Sequence, residues 1–483
     1  MSSSETFYWH DYETFGADPS FDRPVQFAGQ RTDLDLNPIG EPLVIYARPP
    51  RDYLPQPAAC LITGITPQIA AEHGIREADF IDEIVGELSV PGTCGVGYNS
   101  LRFDDTVTRF TLWRSLRSPY EREFGQGRSR WDLIDALRTA HALRPEGIRW
   151  PEREDGAISF RLEDLAAANN LAEGAAHDAL VDVRTTIAMA RLLRQVQPRL
   201  FAYLFEHRQK AAVQRLVNVE SAEPLLHVSG MFGAKRNNLG LILPVGWHSS
   251  NKNELICVDL AKDAHLLLDL SIDELRGRLY SPSDRLAEDE ERPGIKSVHI
   301  NRCPVLLPPK MADKNVAERA ALDLEINRKN LLVLRDHLHK HPGALRDKLR
   351  EVLVREDSGT PSDVDIALYS GGFLADTDRQ TLDRVVAASA EVLSASTFAF
   401  EDPRLDELVF RYRARNYPES LSDGERAQWA EHCFTRLSED EGPGLGLESF
   451  HAELDQRMQD LGEDEKAHKI LMDLQSWGDE LLS

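Results

Sequence analysis

Two acidic residues near the start of the chain lie where a fold usually places apolar side chains. Asp11 and Glu13 follow the aromatic residues Phe7 and Trp9. Successive side chains of a β-strand point to opposite faces, so a strand here would put all four on one face. Two neighbouring carboxylates repel each other unless a cation joins them, and oxygen ligands suit Mg²⁺ or Mn²⁺. The pair alone is also compatible with an exposed strand end that binds nothing.

Two further aspartates occur in settings that could complete such a site. Asp104 follows the apolar, glycine-containing run Cys94–Tyr98, which is typical of a buried strand, and an aspartate here is predicted to start the next helix. An N-terminal helix carboxylate favoured by the helix dipole is the alternative role for Asp104. Asp182 follows His177 and leads into the amphipathic stretch Thr185–Leu193.

The four carboxylates and the one imidazole supply the groups needed for two-metal phosphodiester hydrolysis. In that chemistry one ion lowers the pKa of a bound water and the other stabilises the departing oxygen, with the ions about 3.5–4 Å apart. His177 is suited to take a proton from the attacking water, because the unperturbed pKa of histidine lies near neutrality.

The surrounding pattern divides the chain into three regions. Strand-like runs such as Val25–Ala28 alternate with helical patterns in the first, which favours a mixed α/β sheet. Short β-like pieces such as Leu239–Val245 characterise the second, and the third is helical. The predicted boundaries are 6–195, 198–352 and 358–483.

The order of the motifs, Asp-x-Glu, Asn-x-x-x-Phe-Asp and His-x-x-x-x-Asp, resembles the DEDDh exonucleases. Longer stretches spread over the chain narrow this resemblance to the bacterial exonuclease I family. These stretches are His10–Gly16, Leu61–Gln68, Arg102–Asp105, Ser129–Leu133, Leu143–Ile148, His227–Ala234, His299–Val305 and Arg411–Pro418.

The resemblance implies an α/β fold in which a ribonuclease-H-like mixed-sheet exonuclease domain precedes an SH3-like β-barrel region and a helical C-terminal domain. The implied activity is 3′-to-5′ digestion of single-stranded DNA to 5′-mononucleotides, in DNA repair and recombination. The implied cofactor is a pair of Mg²⁺ ions, with Mn²⁺ as a possible substitute.

By position, the resemblance implies a role for each motif residue. Asp11, Glu13, Asp104 and Asp182 match metal carboxylates, and His177 matches the general base. Glu13 also matches a substrate contact, as does Arg161 near the cut. Six further candidates for the DNA path follow from the family: Arg109, Tyr120, Phe124, Arg138, Tyr203 and Lys210.

The charge balance sets a condition on DNA binding. The chain has 80 acidic and 56 basic residues, a formal net charge of −24, whereas nucleic-acid affinity draws on phosphate neutralisation. Basic residues must therefore gather in one groove. Arg109 lies near Phe110 and Trp113, and aromatics interleaved with arginine suit a strand whose bases stack. An amphipathic helix with a solvated basic face and a buried aromatic face explains these residues equally well.

The resemblance also implies a protein partner. Exonuclease I enzymes bind the acidic, phenylalanine-ending tail of single-stranded-DNA-binding protein, which requires cations around an apolar slot. Arg144, Tyr203 and Arg335 stand near the family positions for that contact. Glu223 occupies a place where a basic residue is expected. The resemblance further implies a monomer.

Composition indicates a cytoplasmic protein without a membrane partner. No stretch approaches the roughly 18 unbroken apolar residues of a membrane span, and Met1–Glu5 lacks the features of a signal peptide. The cysteines are odd in number and without short paired spacing, so we expect reduced thiols and no zinc knuckle. They are Cys60, Cys94, Cys257, Cys303 and Cys433.

Three other classes of protein remain open from the sequence. Another DEDDh nuclease, acting on RNA or in proofreading, would share the site and differ in substrate. An HD-type phosphohydrolase is suggested by the doublet His177-Asp178, but that fold is all helical and needs upstream histidines. A non-catalytic single-stranded-DNA-binding scaffold predicts the loss of at least one carboxylate, and none is lost.

Overall fold

The computed structural model describes residues 5–172, 174, 177–287, 290–354, 363–438, 443–460, 462 and 464–481. Packing divides the chain into two compact units: Met1–Ser129 with Glu173–Ile187 and Ser358–Ser483, and Arg130–Ala172 with Ala188–Asp357. These units group the chain by packing and not by continuity, so the three regions of the sequence analysis stay a prediction. The predicted start at residue 358 lies outside the described residues.

The strands are three to nine residues long. In chain order they are β1 (Thr6–Thr14), β2 (Pro24–Thr32), β3 (Pro38–Tyr46), β4 (Thr93–Gly97), β5 (Ser129–Asp132), β6 (Leu225–Val228), β7 (Leu239–Trp247), β8 (Glu254–Asp259), β9 (Ile295–His299) and β10 (Val305–Leu307).

The helices of the first part of the chain are α1 (Pro57–Thr63), α2 (Pro67–His73), α3 (Glu77–Leu88), α4 (Asp104–Arg114), α5 (Leu133–Leu143), α6 (Leu162–Ala168), α7 (Ala179–Val196), α8 (Pro198–Glu206) and α9 (Lys210–Leu216). Those of the remainder are α10 (Ala264–Asp269), α11 (Ile272–Tyr280), α12 (Lys314–Arg319), α13 (Leu324–Lys340), α14 (Ala344–Val352), α15 (Asp376–Val386), α16 (Ala390–Ala395), α17 (Arg404–Asn416), α18 (Asp423–Ser438), α19 (Leu447–Asp460) and α20 (Glu465–Leu481).

In the first unit, β3, β2, β1 and β4 lie side by side in this order. β1 is antiparallel to β2 and parallel to β4. Because β1 has a neighbour on each edge and is rich in aromatic and β-branched residues, it forms the centre of this sheet. The mixed sheet confirms the α/β prediction for the N-terminal region.

Two of the apolar clusters of the first unit involve α4. Tyr12 and Phe27 on the sheet pack against Phe80 of α3 and Val107 of α4, and the Tyr12 and Phe27 rings lie 4.9 Å apart. In the second cluster Trp113 at the end of α4 packs among leucines of α17. The C-terminal helices therefore share a core with the helix that begins at Asp104.

The second unit contains an antiparallel sheet in the order β10-β6-β7-β8-β9. Leu243 and Ile256 on this sheet pack against Leu334 of α13 and Leu349 of α14. No helix among the described residues is both long and apolar enough to cross a bilayer. All five cysteines carry free thiols.

Candidate active site

The central strand β1 delivers the first two carboxylates. Asp11 pairs in register with Ala28 of β2 and Glu13 with Gln26. The ladder shifts register immediately after Glu13, so the acidic pair lies at the end of regular pairing. Glu13 is buried, at 7% exposure, and Asp11 is half-buried.

Asp104 reaches the same region because of the parallel pairing of β1 and β4. Parallel strands present their carboxyl ends at one edge of a sheet. The chain leaves β4 at Gly97, and α4 begins at Asp104, which confirms that an aspartate starts this helix. Asp104 is buried at 3% exposure, so it does more than cap a solvated helix end.

The start of α7 contributes Asp182 and His177. The Asp178 carboxylate accepts hydrogen bonds from the backbone N–H groups of Leu180 at 3.0 Å and Val181 at 3.3 Å, which caps the helix. This cap places Asp182 in the first helical turn. His177 precedes the cap with φ 64°, a left-handed conformation that turns the chain into the helix, and it is exposed.

These elements bring the predicted residues together. The metal-ligating atoms of Glu13, His177 and Asp182 all lie within 4.8 Å of one another. Burial raises the pKa of Asp11 well above its ordinary value, and the charges of Asp104, Glu13 and Asp182 raise it further. The last three carboxylates are therefore close enough to Asp11 to repel its charge.

The pKa of Glu13 is raised by the same two causes, burial and neighbouring carboxylates. Burial, followed by the charges of Asp182, Asp104 and Asp178, raises the pKa of Glu13 to about 8. Within the described part of the chain, the charged groups that shift the pKa of Asp11 are all carboxylates. A group of neighbouring carboxylates whose pKa values are raised fits a site for hard divalent metal ions, whose preferred ligands are oxygen atoms.

A buried ion pair at Asp105, the residue that follows Asp104, was not predicted from the sequence. Asp105 accepts a hydrogen bond from Arg122 at 2.6 Å, and both side chains are nearly inaccessible. Burial and the positive charge of Arg122 lower the pKa of the adjacent His10 to about 4. The doublet Asp104-Asp105 was visible in the sequence, but packing decides that Asp104 lies near Asp11 and that Asp105 pairs with Arg122.

The DNA-path candidates of the first unit differ in exposure. Arg109 is 9% exposed and donates two hydrogen bonds to Glu123 at 2.7 and 3.0 Å. Its guanidinium also lies 5.8 Å from the centre of the Tyr120 ring. Tyr120 is half-buried, whereas Phe124 is 63% exposed. Arg109 therefore supports an aromatic residue and does not present a free cation.

The remaining candidates belong to the second unit. Arg161 begins the α6 region with a side chain that is 76% exposed. Arg138 pairs with Asp135 at 2.8 Å. The Tyr203 hydroxyl donates to the carbonyl oxygen of Leu306 at 3.1 Å. The first residue of α9, Lys210, is exposed.

The carboxylates on β1, at the start of α4 and in the first turn of α7, with a histidine beside them, define a metal-dependent exonuclease of the DEDDh class. The family models described as Exonuclease, Exonuclease I SH3-like domain and Exonuclease I C-terminal domain match residues 8–190, 208–355 and 362–481. The chain belongs to the exonuclease I family.

Individual relatives agree over the full length. The chain is 44% identical to exodeoxyribonuclease I of Escherichia coli, over 99% of this chain and 98% of the relative. The zinc-bound E. coli exonuclease I–single-stranded DNA complex is 42% identical, with a TM-score of 0.93 and full coverage of both chains. A structure of SSB/exonuclease I with the inhibitor CFAM is also 42% identical, with a TM-score of 0.90, over 99% of this chain and 100% of that chain.

The family membership confirms the predicted fold class, with its exonuclease, SH3-like and helical C-terminal parts. It also confirms the predicted activity: the protein is a 3′-to-5′ exodeoxyribonuclease that acts on single-stranded DNA. The family depends on divalent metal ions, in agreement with the carboxylate cluster on β1, α4 and α7.

Proposed function

We propose that this enzyme hydrolyses the terminal phosphodiester with two Mg²⁺ ions held by Asp11, Glu13, Asp104 and Asp182. The observation that carries the proposal is the buried carboxylate group in which Asp11 and Glu13 have raised pKa values. When bound, the two ions would lower the pKa of a water and stabilise the departing oxygen. Mn²⁺ has the same ligand preference and is the expected substitute.

The protein residues have separable tasks in this proposal. Glu13 and Asp182, from two different elements, would hold ions at fixed positions against the sheet. His177, exposed beside them, would take the proton from the attacking water, because an imidazole at the rim can pass that proton to solvent. The cap at Asp178 keeps both residues in place.

Substrate binding is proposed to involve further residues. Arg161 has an exposed guanidinium and would contact the phosphate near the cut, where Glu13 would also meet the terminal nucleotide. Tyr120 and Phe124 offer ring faces for bases, with Arg109 as the support of Tyr120. Arg138, Tyr203 and Lys210 are proposed as further contacts of the DNA strand.

The test is digestion of an end-labelled single strand, run beside duplex DNA and an RNA oligomer of equal length. We expect stepwise release of 5′-mononucleotides from the 3′ end of the single strand with Mg²⁺, and none with a chelator. Faster digestion of RNA would instead support an RNA-trimming DEDDh nuclease. Full activity in the chelator would refute the two-metal proposal.

The other two classes are not supported. β1 carries Asp11 and Glu13 as a strand, whereas an HD-type phosphohydrolase is all helical. The four carboxylates and His177 are all present, as expected of an active enzyme and not of a binding scaffold. A scaffold would bind single-stranded DNA in the digestion assay without shortening it.

We further propose that the second unit binds the acidic tail of single-stranded-DNA-binding protein, weakly because of Glu223. Arg335 donates to the carbonyl oxygen of Ala222 at 3.0 Å, next to the exposed Glu223. An acidic side chain beside the arginine would repel an acidic peptide. A labelled tail peptide should bind more tightly to Glu223→Lys and more weakly to Arg335→Ala, and equal affinities would refute the proposal.

A cytoplasmic monomer is the expected context. The DNA substrate and the five free thiols both suit a reducing compartment that contains DNA. Sedimentation of the purified chain at several concentrations would test the monomer, and a concentration-dependent increase in mass would contradict it.

A further inference from the structure

The two helices that carry proposed metal ligands are each joined to the sheet by buried hydrogen bonds. The helix α4 begins with Asp104, and α7 carries Asp182 in its first turn. The other two carboxylates, Asp11 and Glu13, lie on β1. The spacing of the four carboxylates therefore depends on how these helices are fastened to the strands.

The first connection starts at Tyr12, the residue between the two carboxylates of β1. Its side chain points to the face opposite Asp11 and Glu13, because successive side chains of a strand alternate. The Tyr12 hydroxyl lies 3.0 Å from the hydroxyl of Thr108, which donates to the carbonyl oxygen of Asp104 at 2.8 Å. A threonine hydroxyl has one proton, so Tyr12 is the donor to Thr108. Both residues are buried.

The second connection starts at Gln26 on β2, the cross-strand partner of Glu13. The side-chain oxygen of Gln26 accepts a hydrogen bond at 3.3 Å from the backbone N–H of Ala179, the first residue of α7. The amide nitrogen of Gln26 donates to the Tyr46 hydroxyl at 2.7 Å. Gln26 is buried, and both ends of its amide are bonded, so its side chain is held in one orientation.

A metal site assembled from separate elements needs such connections. Residues 98–103 join β4 to α4, and connecting segments have more freedom than the elements they join. The two ions of a two-metal site lie about 3.5–4 Å apart, and functional side chains must be held to within about 0.5 Å of their working geometry. A buried hydrogen bond to the sheet supplies this constraint at the start of each helix.

We propose that Tyr12 and Gln26 are positioning residues, which hold α4 and α7 at the distance from β1 that metal binding requires. The proposal rests on the proposed two-metal function and assigns to the sheet the task of setting the spacing of the ligands. Tyr12 points away from Asp11 and Glu13, so it acts through Thr108 and not by contact with a metal ion. Removal of groups that orient metal ligands typically costs about 10–100-fold in metal affinity or activity.

The experiment measures the affinity of the full chain for Mn²⁺ by calorimetry, without DNA. Tyr12→Phe removes the hydroxyl and keeps the ring, and Gln26→Met replaces the amide with an apolar group of similar size. Neither change opens a large cavity or leaves a buried charge unpaired. Each should weaken Mn²⁺ binding about tenfold, the lower end of the range for groups that orient metal ligands.

Each variant has a matched control on its own strand. Tyr8→Phe removes a buried hydroxyl from the same face of β1, and this hydroxyl has no hydrogen-bond partner among the described residues. Gln30→Met makes the same change on β2, where the amide donates to the carbonyl oxygens of Arg31 at 3.0 Å and Gly40 at 3.3 Å. Both controls should bind Mn²⁺ like the parent.

Substitutions at Thr108 test the first connection from the side of the helix. Thr108→Val removes the hydroxyl, keeps the branched shape and should reproduce the loss seen in Tyr12→Phe. Thr108→Ser keeps the hydroxyl and should bind Mn²⁺ like the parent. The double variant Tyr12→Phe/Thr108→Val should bind no more weakly than Thr108→Val, because losses within one hydrogen-bond network are not additive.

Hydrolysis gives a second measurement. In Tyr12→Phe and Gln26→Met the Mg²⁺ concentration for half-maximal activity should rise about tenfold. Saturating Mg²⁺ should return kcat towards the parental value, since the ligands themselves are intact. The KM for single-stranded DNA should stay parental, because no DNA contact is removed.

Parental Mn²⁺ affinity in either Tyr12→Phe or Gln26→Met, or an equal loss in the control on the same strand, would overturn the proposal. Asp104→Ala separates that result from a failure of the proposed function. Loss of Mn²⁺ binding in Asp104→Ala with parental binding in Tyr12→Phe would overturn only the positioning role. Parental binding in Asp104→Ala would overturn the two-metal assignment itself.

Discussion

The first unit contains two clusters of buried charge that are opposite in character. The proposed metal site gathers the carboxylates of Asp11, Glu13, Asp104 and Asp182, with His177 beside them. The second cluster, which we call the ion-pair network, joins carboxylates to arginines between the sheet region and the C-terminal helices. Its members are Asp52, Glu77, Asp363, Asp365, Arg23, Arg114, Arg411, Arg415 and Arg436.

Carboxyl groups are buried in both clusters, but their pKa values shift in opposite directions. Asp365 lies 2.8 Å from Arg23 and 2.6 Å from Arg415. Burial alone would raise its pKa, but the surrounding guanidinium groups hold the pKa of Asp365 well below its ordinary value. In the proposed metal site the charges that shift Asp11 are those of carboxylates, and the pKa of Asp11 is raised.

The comparison separates structural charge from functional charge. A buried carboxylate whose charge is balanced by the chain belongs to the fold, whereas an unbalanced one is available for a ligand that brings the balancing charge. The following substitutions should affect catalysis in one cluster and stability in the other.

The largest effect is expected from Asp182→Ala. Nucleotide release should fall by at least about 10³-fold, because several kcal/mol of transition-state stabilisation are lost with a metal ligand and each ~1.4 kcal/mol is tenfold. Single-strand binding should remain measurable in a filter-binding assay. A parental rate in this variant would remove the metal assignment, and the exposed Asp376→Ala should behave like the parent.

Asp365→Ala should affect stability instead. Removing one partner leaves buried arginines unbalanced, which costs about 3–5 kcal/mol in the free energy of unfolding. Urea denaturation would measure this loss. The matched control is Asp376→Ala, which breaks a surface pair of 3.0 Å whose side chains are 54% and 87% exposed and should cost about 1 kcal/mol or less. Similar losses in both variants would contradict the comparison.

His177→Ala tests the member of the active site that is exposed. We expect a loss of about 10²-fold in kcat near pH 7, the lower end of the range for a general base. The loss should shrink at high pH, where hydroxide can replace the base. A pH–rate profile would check this, and an equal loss at every pH would count against the role of His177.

The smallest effects concern how the stability of the fold depends on pH. In the metal-free protein the raised pKa of Glu13, about 8, favours folding while the group is protonated. That stability is present below the unfolded pKa of about 4.3 and is lost as the pH rises towards about 8. Thermal melts in a chelator should therefore fall over this window in the parent and less in Glu13→Gln. Identical profiles would contradict the raised pKa.

The network should show the reverse dependence. Asp365 has a lowered pKa, so its contribution is present above the unfolded value of about 3.9 and is lost only as the pH falls through the folded value. In Asp365→Ala the stability difference from the parent should shrink below about pH 4. A constant difference down to strongly acidic pH would exclude this carboxylate as the source.

The local features of the chain could be read from its sequence. Alternation of aromatic residues predicted the strand that carries Asp11, and the apolar run before Asn99 predicted β4. The aspartate after that run starts α4, as expected, and the pattern around Leu405 and Leu408 is helical. These features depend on periods of two or 3.6 residues, which neighbouring residues determine.

Charge partners could not be read in this way. The arginines of α4 were predicted to face either DNA or water, but Arg109 pairs with Glu123 and Arg114 with Glu77. Periodicity identifies the apolar face of a helix and does not show which distant carboxylate will meet a polar residue.

The sequence by itself determined the family and the residues predicted to carry the chemistry, because residue type and order are sufficient to define the motifs of the family. Only the tertiary structure decided which buried carboxylates have arginine neighbours and a lowered pKa, and which have carboxylate neighbours and a raised pKa. The reason is that the free energy of a charge depends on its burial and on the charges within a few ångströms, and those neighbours come from segments far apart in the chain.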